Sequence, residues 1–493
     1  MFLTTFLLNP VLARAQTDLG PAERQPGDGP AEPVVPPSPS TEPAPPLAPA
    51  SAPPTSDKTT VEPLAGFSDG TAFLRSPDNA FVLFPNGRLQ VDGYFFKTGN
   101  ANPPKDSFLI RRARAELAGW VGPWFYFSIA GDFAAGAPAG ANPVAQSNLA
   151  TTDDFVAIAP WNDLAILQVG QFDAPFTLEN RTSDKYFDFM ERSIAVRAFG
   201  IPSNKEVGAM VHGMLPDKHL YYSFATLNGD GQNFRNTDNK FDLIGRGWIA
   251  PFTFGGPEIL QAVTVGGSFW QGWRSTAGGL PIAAQSTQAG FTFLAPKWSN
   301  AATSTSGASA YELHQDRHLQ AGAVEVNAPV DHKFGARWEW IWKRQPFTAY
   351  DSGSGKPVAN SDGGKLQGWA TYGEIWWWAI GDDRIIGEPG LQLPTRFKKF
   401  GVKPPQQGLM LAARLDYLDE TVTDYPGTAT LPGASQLAGS TRVTALALGA
   451  NYWYSKRLRL TANYVFNHFG GDNVNVAKLK DEHEFLFRLA IAL

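Results

Sequence analysis

The chain of 493 residues contains no cysteine. That excludes a disulfide-stapled scaffold and any metal centre built on thiolates. No apolar run reaches the roughly 18 residues that a membrane-spanning helix needs. An excess of positive charge is missing too. Lys and Arg number 41 against 46 Asp and Glu, a formal net charge of −5, which argues against a nucleic-acid-binding protein. There is no Ser-centred nucleophile elbow, no phosphate-binding loop and no dinucleotide fingerprint, so no enzyme signature is found.

What the chain does have is rings and alternation. Aromatic residues make up 13% of it, with 15 Trp. Such rings suit girdles at two membrane interfaces, and they also suit a Trp-rich secreted β-protein that acts on glycans. The lack of a long apolar run does not separate these readings, because a barrel wall hides its hydrophobicity by alternating with period two. The stretch Phe108–Gly119 shows the pattern. Leu109, Ala113, Ala115, Leu117 and Val121 fall on one face; Arg112, Arg114, Glu116 and Ala118 fall on the other. Arg111 shares the apolar face and is expected to snorkel to the interface. After the turn Gly122-Pro123, Phe125, Phe127, Ile129 and Phe133 alternate with Tyr126, Ser128 and Asp132. Each strand of this hairpin runs about ten residues, enough to cross a bilayer when tilted.

Taken in order, residues 1–15 read as a secretory signal cut after Ala13-Arg14-Ala15, though a positive n-region is missing. Residues 16–64 are rich in Pro, Ala, Ser and Glu and cannot bury a core, so they read as a disordered periplasmic tail that the pore does not need. From about residue 80 to 493 alternating segments follow one another, and they count to about sixteen, an even number as bacterial barrels require. Tight Pro/Asp/Asn turns mostly alternate with long loops; 379–407 is the exception, long where a short turn is due. The last segment places Phe485, Phe487, Leu489, Ile491 and Leu493 on one face and Glu484, Leu486 and Arg488 on the other. The expected fold is therefore an all-β transmembrane antiparallel barrel.

Several pieces resemble the phosphate-selective porin O and P family. They are Gly87-Arg88-Leu89-Gln90-Val91-Asp92, the Phe108–Gly119 stretch, Val169–Glu179 with its Gly170-Gln171-Phe172-Asp173 core, Asn228-Gly229-Asp230-Gly231, and Ala412-Ala413-Arg414-Leu415-Asp416-Tyr417. They lie in order over most of 80–493. The resemblance implies a sixteen-stranded barrel in the outer membrane, usually a homotrimer, that passes small anions. It also implies an inward-folded third outer loop, here about 174–204. The arginine ladder and lysine cluster of strict phosphate selectivity are not identified in full in this sequence.

Rings of fixed cations select anions, and guanidinium groups bind oxyanions through paired donors. Arg112 and Arg114 are the first candidates to line such a pore; Arg246, Arg337, Arg414 and Arg459 take similar positions by alternation. Within the third loop Arg181, Lys185, Arg192 and Arg197 are candidates for the constriction. The bland alternative is that these groups pair with neighbours, as Arg337 with Glu339 or Arg414 with Asp416, while Asp184, Asp188 and Glu191 neutralise the loop. Trp338, Trp340 and Trp342 read as a lipid-facing stripe, and Trp376-Trp377-Trp378 as part of an interfacial girdle. His314 and His318 lack the context of a metal site, and 228–231 reads as a turn rather than a calcium loop. No cofactor or metal is expected. The reading is a porin for small anions, with phosphate one of them. A barrel serving as a surface anchor without conductance, or a secreted glycan-active β-protein, are its alternatives.

Overall fold

The computed structural model describes residues 63–492 except 69–70, 101–102, 135–148, 203, 274–284, 295–298, 301–310, 316, 352–353, 355, 358–363, 387–404, 424–437 and 474–475. The signal and tail segments expected over 1–64 lie outside the described residues, apart from Pro63 and Leu64.

Sixteen wall strands form one closed antiparallel barrel. They are β1 Phe81–Thr98, β2 Ser107–Val121, β3 Phe125–Asp132, β4 Asp154–Ile158, β5 Ile166–Asp173, β6 Lys205–Met214, β7 Leu220–Leu227 and β8 Asp242–Ile249. The second half comprises β9 Thr264–Gly272, β10 Leu319–Val330, β11 Phe334–Asp351, β12 Gly364–Ile380, β13 Gly408–Thr423, β14 Gly439–Ser455, β15 Leu458–Gly470 and β16 Glu482–Ala492. Each pairs with the next, and β16 closes on β1 through eleven positions, from Glu482↔Thr98 to Ala492↔Arg88. Closure matters physically, since in hydrocarbon every backbone N–H and C=O must find a partner and an open sheet edge does not. A short hairpin, Ala65–Ser68 with Thr71–Arg75, precedes β1 and joins it at Leu74↔Leu83 and Arg75↔Val82.

One end of the barrel carries the tight turns. In 331–333, Asp331 (φ +50°) and His332 (φ +56°) are successive left-handed residues, the backbone that matches the twist of a two-stranded hairpin. The other end carries the long loops. β12 and β13 pair directly over most of their length, so no wall strand is missing between them; residues 387–404 of the long connection after β12 lie outside the described residues. Its described start is a short 3-10 turn, Asp383–Ile386, tied to the neighbouring turn by a 2.6 Å contact between His332 Nδ1 and Asp383 Oδ1. Within the Ser/Thr/Ala/Gly-rich loop after β9, a small hairpin, Gln285–Ser286 with Thr292–Leu294, turns inward. There Gln285 donates to Glu420 at 2.9 Å and Thr287 to Glu482 at 3.2 Å, both from the lumen face of the wall.

Alternation fixes which face each side chain takes. On β16, Phe485, Phe487, Leu489 and Ile491 are exposed on the outside, and Glu484, Leu486 and Arg488 are buried inside. Trp338 is exposed and Trp340 and Trp342 half-buried on the same outer side of β11. The triple Trp of β12 does not stay together. Trp377 joins the outer girdle and stacks with Phe334 at 6.4 Å, whereas Trp378 is buried and Trp376 lies under the Arg337 guanidinium.

Strand β2 departs from the simple two-face reading. The β1–β2 register shifts between Gln90 and Val91, so that Gln90 faces Arg112 and Val91 faces Ile110, and Arg111 is the extra residue of a β-bulge. The bulge reverses the phase ahead of it. Phe108 and Ile110 are exposed to the outside, while Leu109 packs inward. Arg111 does not snorkel along the outer face; it turns into the lumen and meets Glu191 at 2.8 Å. The reason is energetic, since an Arg on the lipid face near the bilayer centre costs about 2–4 kcal/mol.

His314 lies tilted against Tyr350 and His318 against Trp273, and among the described residues no group of three His, Asp or Glu converges as a metal site. Residues 228–231 form a turn in which Gly229 (φ +82°) and Gly231 (φ +103°) supply the left-handed backbone.

Candidate functional site

The connection between β5 and β6, residues 174–204 and hereafter L3, runs through the lumen. It carries two short helical turns, α1 Leu178–Arg181 and α2 Ile194–Phe199, each opened by a hydroxyl cap: Thr177 Oγ1 accepts from Asn180 N–H, and Ser193 Oγ from Val196 N–H. Carboxylates of the wall take further N–H groups of these turns. Glu339 of β11 accepts from Leu178 N–H and, at 3.0 Å, Glu179 N–H, and also from the Tyr372 hydroxyl at 2.8 Å. Asp416 of β13 accepts from Ile194 N–H at 2.9 Å. Inside the loop, Glu179 accepts from Ser193 Oγ at 2.6 Å and meets Arg414 at 3.3 Å. Helix α2 lies on β11, β12 and β13. Phe189 packs so near β14 that a Cβ on Gly449 would stand 3.1 Å from its ring, which is why the wall is bare there.

On the opposite side L3 is held by charge. Two of its carboxylates, Asp184 and Glu191, each lie among three arginines. Asp184 meets Arg88 of β1, Arg112 of β2 at 2.5 Å and Arg114 of β2 at 3.5 Å. Glu191 meets Arg111 at 2.8 Å, Arg488 of β16 at 3.1 Å and Arg197 of α2 at 3.7 Å. The wall supplies further partners. Arg88 pairs with Glu116, Arg114 with Asp132 at 2.8 Å, and Arg488 with Asp92 at 2.7 Å; Arg112 donates to Gln90 at 2.7 Å. Lys185 adds a cation 3.4 Å from Glu116 and 3.1 Å from Asn86. Seven cations (Arg88, Arg111, Arg112, Arg114, Lys185, Arg197, Arg488) thus meet five carboxylates (Asp92, Glu116, Asp132, Asp184, Glu191).

The candidates of the sequence therefore separate. Arg112, Arg114, Lys185 and Arg197 come together around this face of L3. Arg337 and Arg414 stand on the opposite wall, Arg337 on Asp188 (3.3 Å) and Glu374, Arg414 on Asp416 (3.0 Å) and Glu179. The Arg414–Asp416 pair matches the bland alternative; Arg337 takes Glu374 instead of Glu339. Arg459 donates to the Phe187 carbonyl at 2.9 Å and lies over Trp453. Arg192 lies over Phe187, with the Glu179 and Thr182 carbonyls at 3.4 and 3.5 Å. Arg181 donates back to the Asp173 carbonyl. Arg246 pairs within the wall with Glu325, at 2.9 Å from Nε.

Water reaches these pairs unevenly. Arg111 and Arg197 leave 25% and 22% of their side-chain surface open, against 5% for the Glu191 between them. Arg114 and Lys185 each leave 13%, against 8% for Asp132 and 5% for Glu116. Against the burial that would raise it, Arg111, Arg112 and Arg488 hold the Glu191 carboxyl well below the usual carboxylate range, so it stays ionised. Burial, with Arg88 beside it, brings Lys185 down to about 8 in spite of Glu116.

Three members of this cluster were not among the candidates of the sequence. Arg88 and Arg488 lie on the lumen phase of their strands; alternation put Arg488 on the inner face without marking it as a site residue. Arg111 was assigned to the lipid face because a strict period of two does not allow for the bulge it forms.

A closed sixteen-stranded antiparallel wall, apolar outside and charged within, with a loop narrowing its lumen, defines a porin-type channel of the outer membrane. The model of the phosphate-selective porin O and P family matches residues 85–491, and the chain belongs to that family, one of channels rather than enzymes. The chain is similar to the outer-membrane channel DcaP of Acinetobacter baumannii, with TM-score 0.49 and 11% identity over 85% of this chain and 99% of that one. It is also similar to OmpT, an outer membrane protein of Vibrio cholerae (0.48 and 10%, over 85% and 99%). The anion-selective porin from Comamonas acidovorans gives 0.47 and 10%, over 84% and 100%. No curated protein matches the chain.

Proposed function

We propose that this porin is a diffusion channel for small anions, phosphate among them, and that it assembles as a homotrimer. The supporting observation is the uneven access of water to the ion pairs beside L3. Where a guanidinium or ammonium is open and its carboxylate is tucked behind it, a passing ion meets the positive side first. In a narrow lumen with low-dielectric walls such fixed charge acts more strongly than on an open surface. For the trimer, the support is an apolar groove on the outer wall across β1 and β14–β16, with the small residues Gly93, Ala450 and Ala462 in its lining.

Reversal potentials across a potassium chloride gradient test the selectivity. Chloride is expected to be more permeant than potassium, with current persisting when phosphate replaces chloride. A preference for potassium would overturn the reading, and a folded barrel without current would make it an anchor. Unheated gel electrophoresis tests the trimer, which is expected to migrate above the heated monomer.

Lys185 gives the selectivity a pH dependence. Its ammonium is charged below about 8 and neutral above it, so raising the pH removes one open cation. The anion preference is expected to fall between pH 7 and 9, and Lys185→Met is expected to abolish that step. A wild-type ratio flat over this range would exclude Lys185 from the ion path.

A further inference from the structure

The three arginines around Asp184 have the properties of a binding site already occupied. Each guanidinium has a second partner on the wall: Arg88 has Glu116, Arg112 has Gln90 and Arg114 has Asp132. Those partners belong to β1, β2 and β3, so the group would remain assembled if Asp184 left. Asp184 itself belongs to the non-helical part of L3 between α1 and α2. Among the described residues its backbone carbonyl receives a long 3.5 Å contact from Gln90 and no shorter one. The site is also richer in donors than its occupant can use. A carboxylate offers two oxygens, Arg88 Nε is buried without a partner, and a guanidinium has five N–H groups. A tetrahedral oxyanion with two negative charges offers more oxygens and more charge, and arginine forks match it through paired donors.

We propose that Asp184 is a tethered competitor: the Arg88–Arg112–Arg114 cluster is a site for a doubly charged tetrahedral oxyanion, and the loop's own carboxylate fills it until such an ion displaces it. This rests on the anion-channel reading and adds a regulation to it. A site filled by its own loop binds an outside ligand more weakly in proportion to the fraction of time it is vacant. The tether therefore lets phosphate leave as well as enter, and couples its passage to a shift of L3.

The test uses the full chain in planar bilayers, with chloride current measured first and inorganic phosphate then added as the blocking ion. If chloride is less permeant than potassium, the channel reading itself has failed, whatever phosphate does. If chloride is preferred, the inference depends on two variants. Asp184→Asn is expected to lower the half-blocking phosphate concentration by about tenfold or more, as a site vacant less than a tenth of the time becomes free. Asp132→Asn removes the same charge from a wall partner that is not displaced, and is expected to change it less than about threefold. Equal effects in the two would mean that charge alone is being read, and no effect of Asp184→Asn would mean that the cluster does not bind phosphate; either overturns the proposal. The movement has its own readout, because the chain has no cysteine and a single introduced thiol reports its site alone. Ser183→Cys is expected to react faster with a maleimide as phosphate is raised at constant ionic strength. In the Asp184→Asn background it is expected to react fast without phosphate. A rate indifferent to phosphate in the otherwise wild-type chain would overturn the displacement.

Discussion

Excising Leu178–Phe199 and rejoining L3 with a short Gly/Ser linker is expected to raise single-channel conductance several-fold and to weaken ion selectivity. L3 is nearly all buried, and its partners lie on β1, β2, β11, β13 and β16, so it crosses the lumen instead of lining one side. Without it, ions pass farther from the wall charges. Screening then acts over about 8 Å at physiological salt, and a wide aqueous pore loses most of the field that a narrow one focuses. The barrel should survive, because wall strands pair with one another and close without help from the loop. The arginines left behind face water in the opened lumen, so they rehydrate and avoid the several kcal/mol that an unpaired buried charge costs. Heat-modifiable migration checks the fold, and conductance in potassium chloride checks the pore. An intact barrel with unchanged conductance would mean that ions bypass L3 altogether.

How much of this could be read beforehand follows from which interactions are local. Alternation is local, and it placed Phe485, Phe487 and Arg488 on their faces and, with the turns between segments, counted about sixteen strands, the number the barrel has. One inserted residue defeats it. Arg111 shifts the phase of β2, so Leu109 and Ile110 exchange faces, and only the cost of an arginine in lipid hinted at the bulge. The pairing of charges is not local at all. Arg88 finds Asp184 across 96 positions and Arg488 finds Glu191 across 297. A sequence with carboxylates interleaved among the cations of L3 is compatible with a self-neutralised loop. The structure sends Asp184 to the wall and shares Glu191 between two wall arginines and Arg197 of the loop, and Lys185 and Arg197 become the open members of their pairs. The wall under α2 shows the reverse: Arg414 and Asp416, two apart on one face of β13, were legible as a pair because strand geometry makes them neighbours.

Arg112→Ala with Arg114→Ala is expected to lower the anion-to-cation permeability ratio by about tenfold, toward unity or below. Both side chains point into the lumen beside L3, on the face opposite Ala113 and Ala115. Their loss leaves Asp132 without its arginine and leaves Asp184 with Arg88 alone, so the seven cations of this cluster fall to five against five carboxylates. Two unit charges 4 Å apart interact by about 1 kcal/mol in bulk water and about 4 kcal/mol near a protein surface. An intermediate value of about 1.4 kcal/mol already corresponds to a tenfold change in permeability ratio. The effect should grow at low salt, where screening is weakest. Arg112→Lys with Arg114→Lys separates charge from shape. An ammonium keeps the charge but not the fork that grips two oxygens, so chloride preference is expected to persist while block by phosphate weakens. Reversal potentials and phosphate titrations on heat-modifiable, bilayer-inserted protein decide the matter. A folded double-alanine variant with an unchanged ratio would reduce these two arginines to fasteners between wall and loop, and the selectivity would then have to reside in Arg111, Lys185 and Arg197.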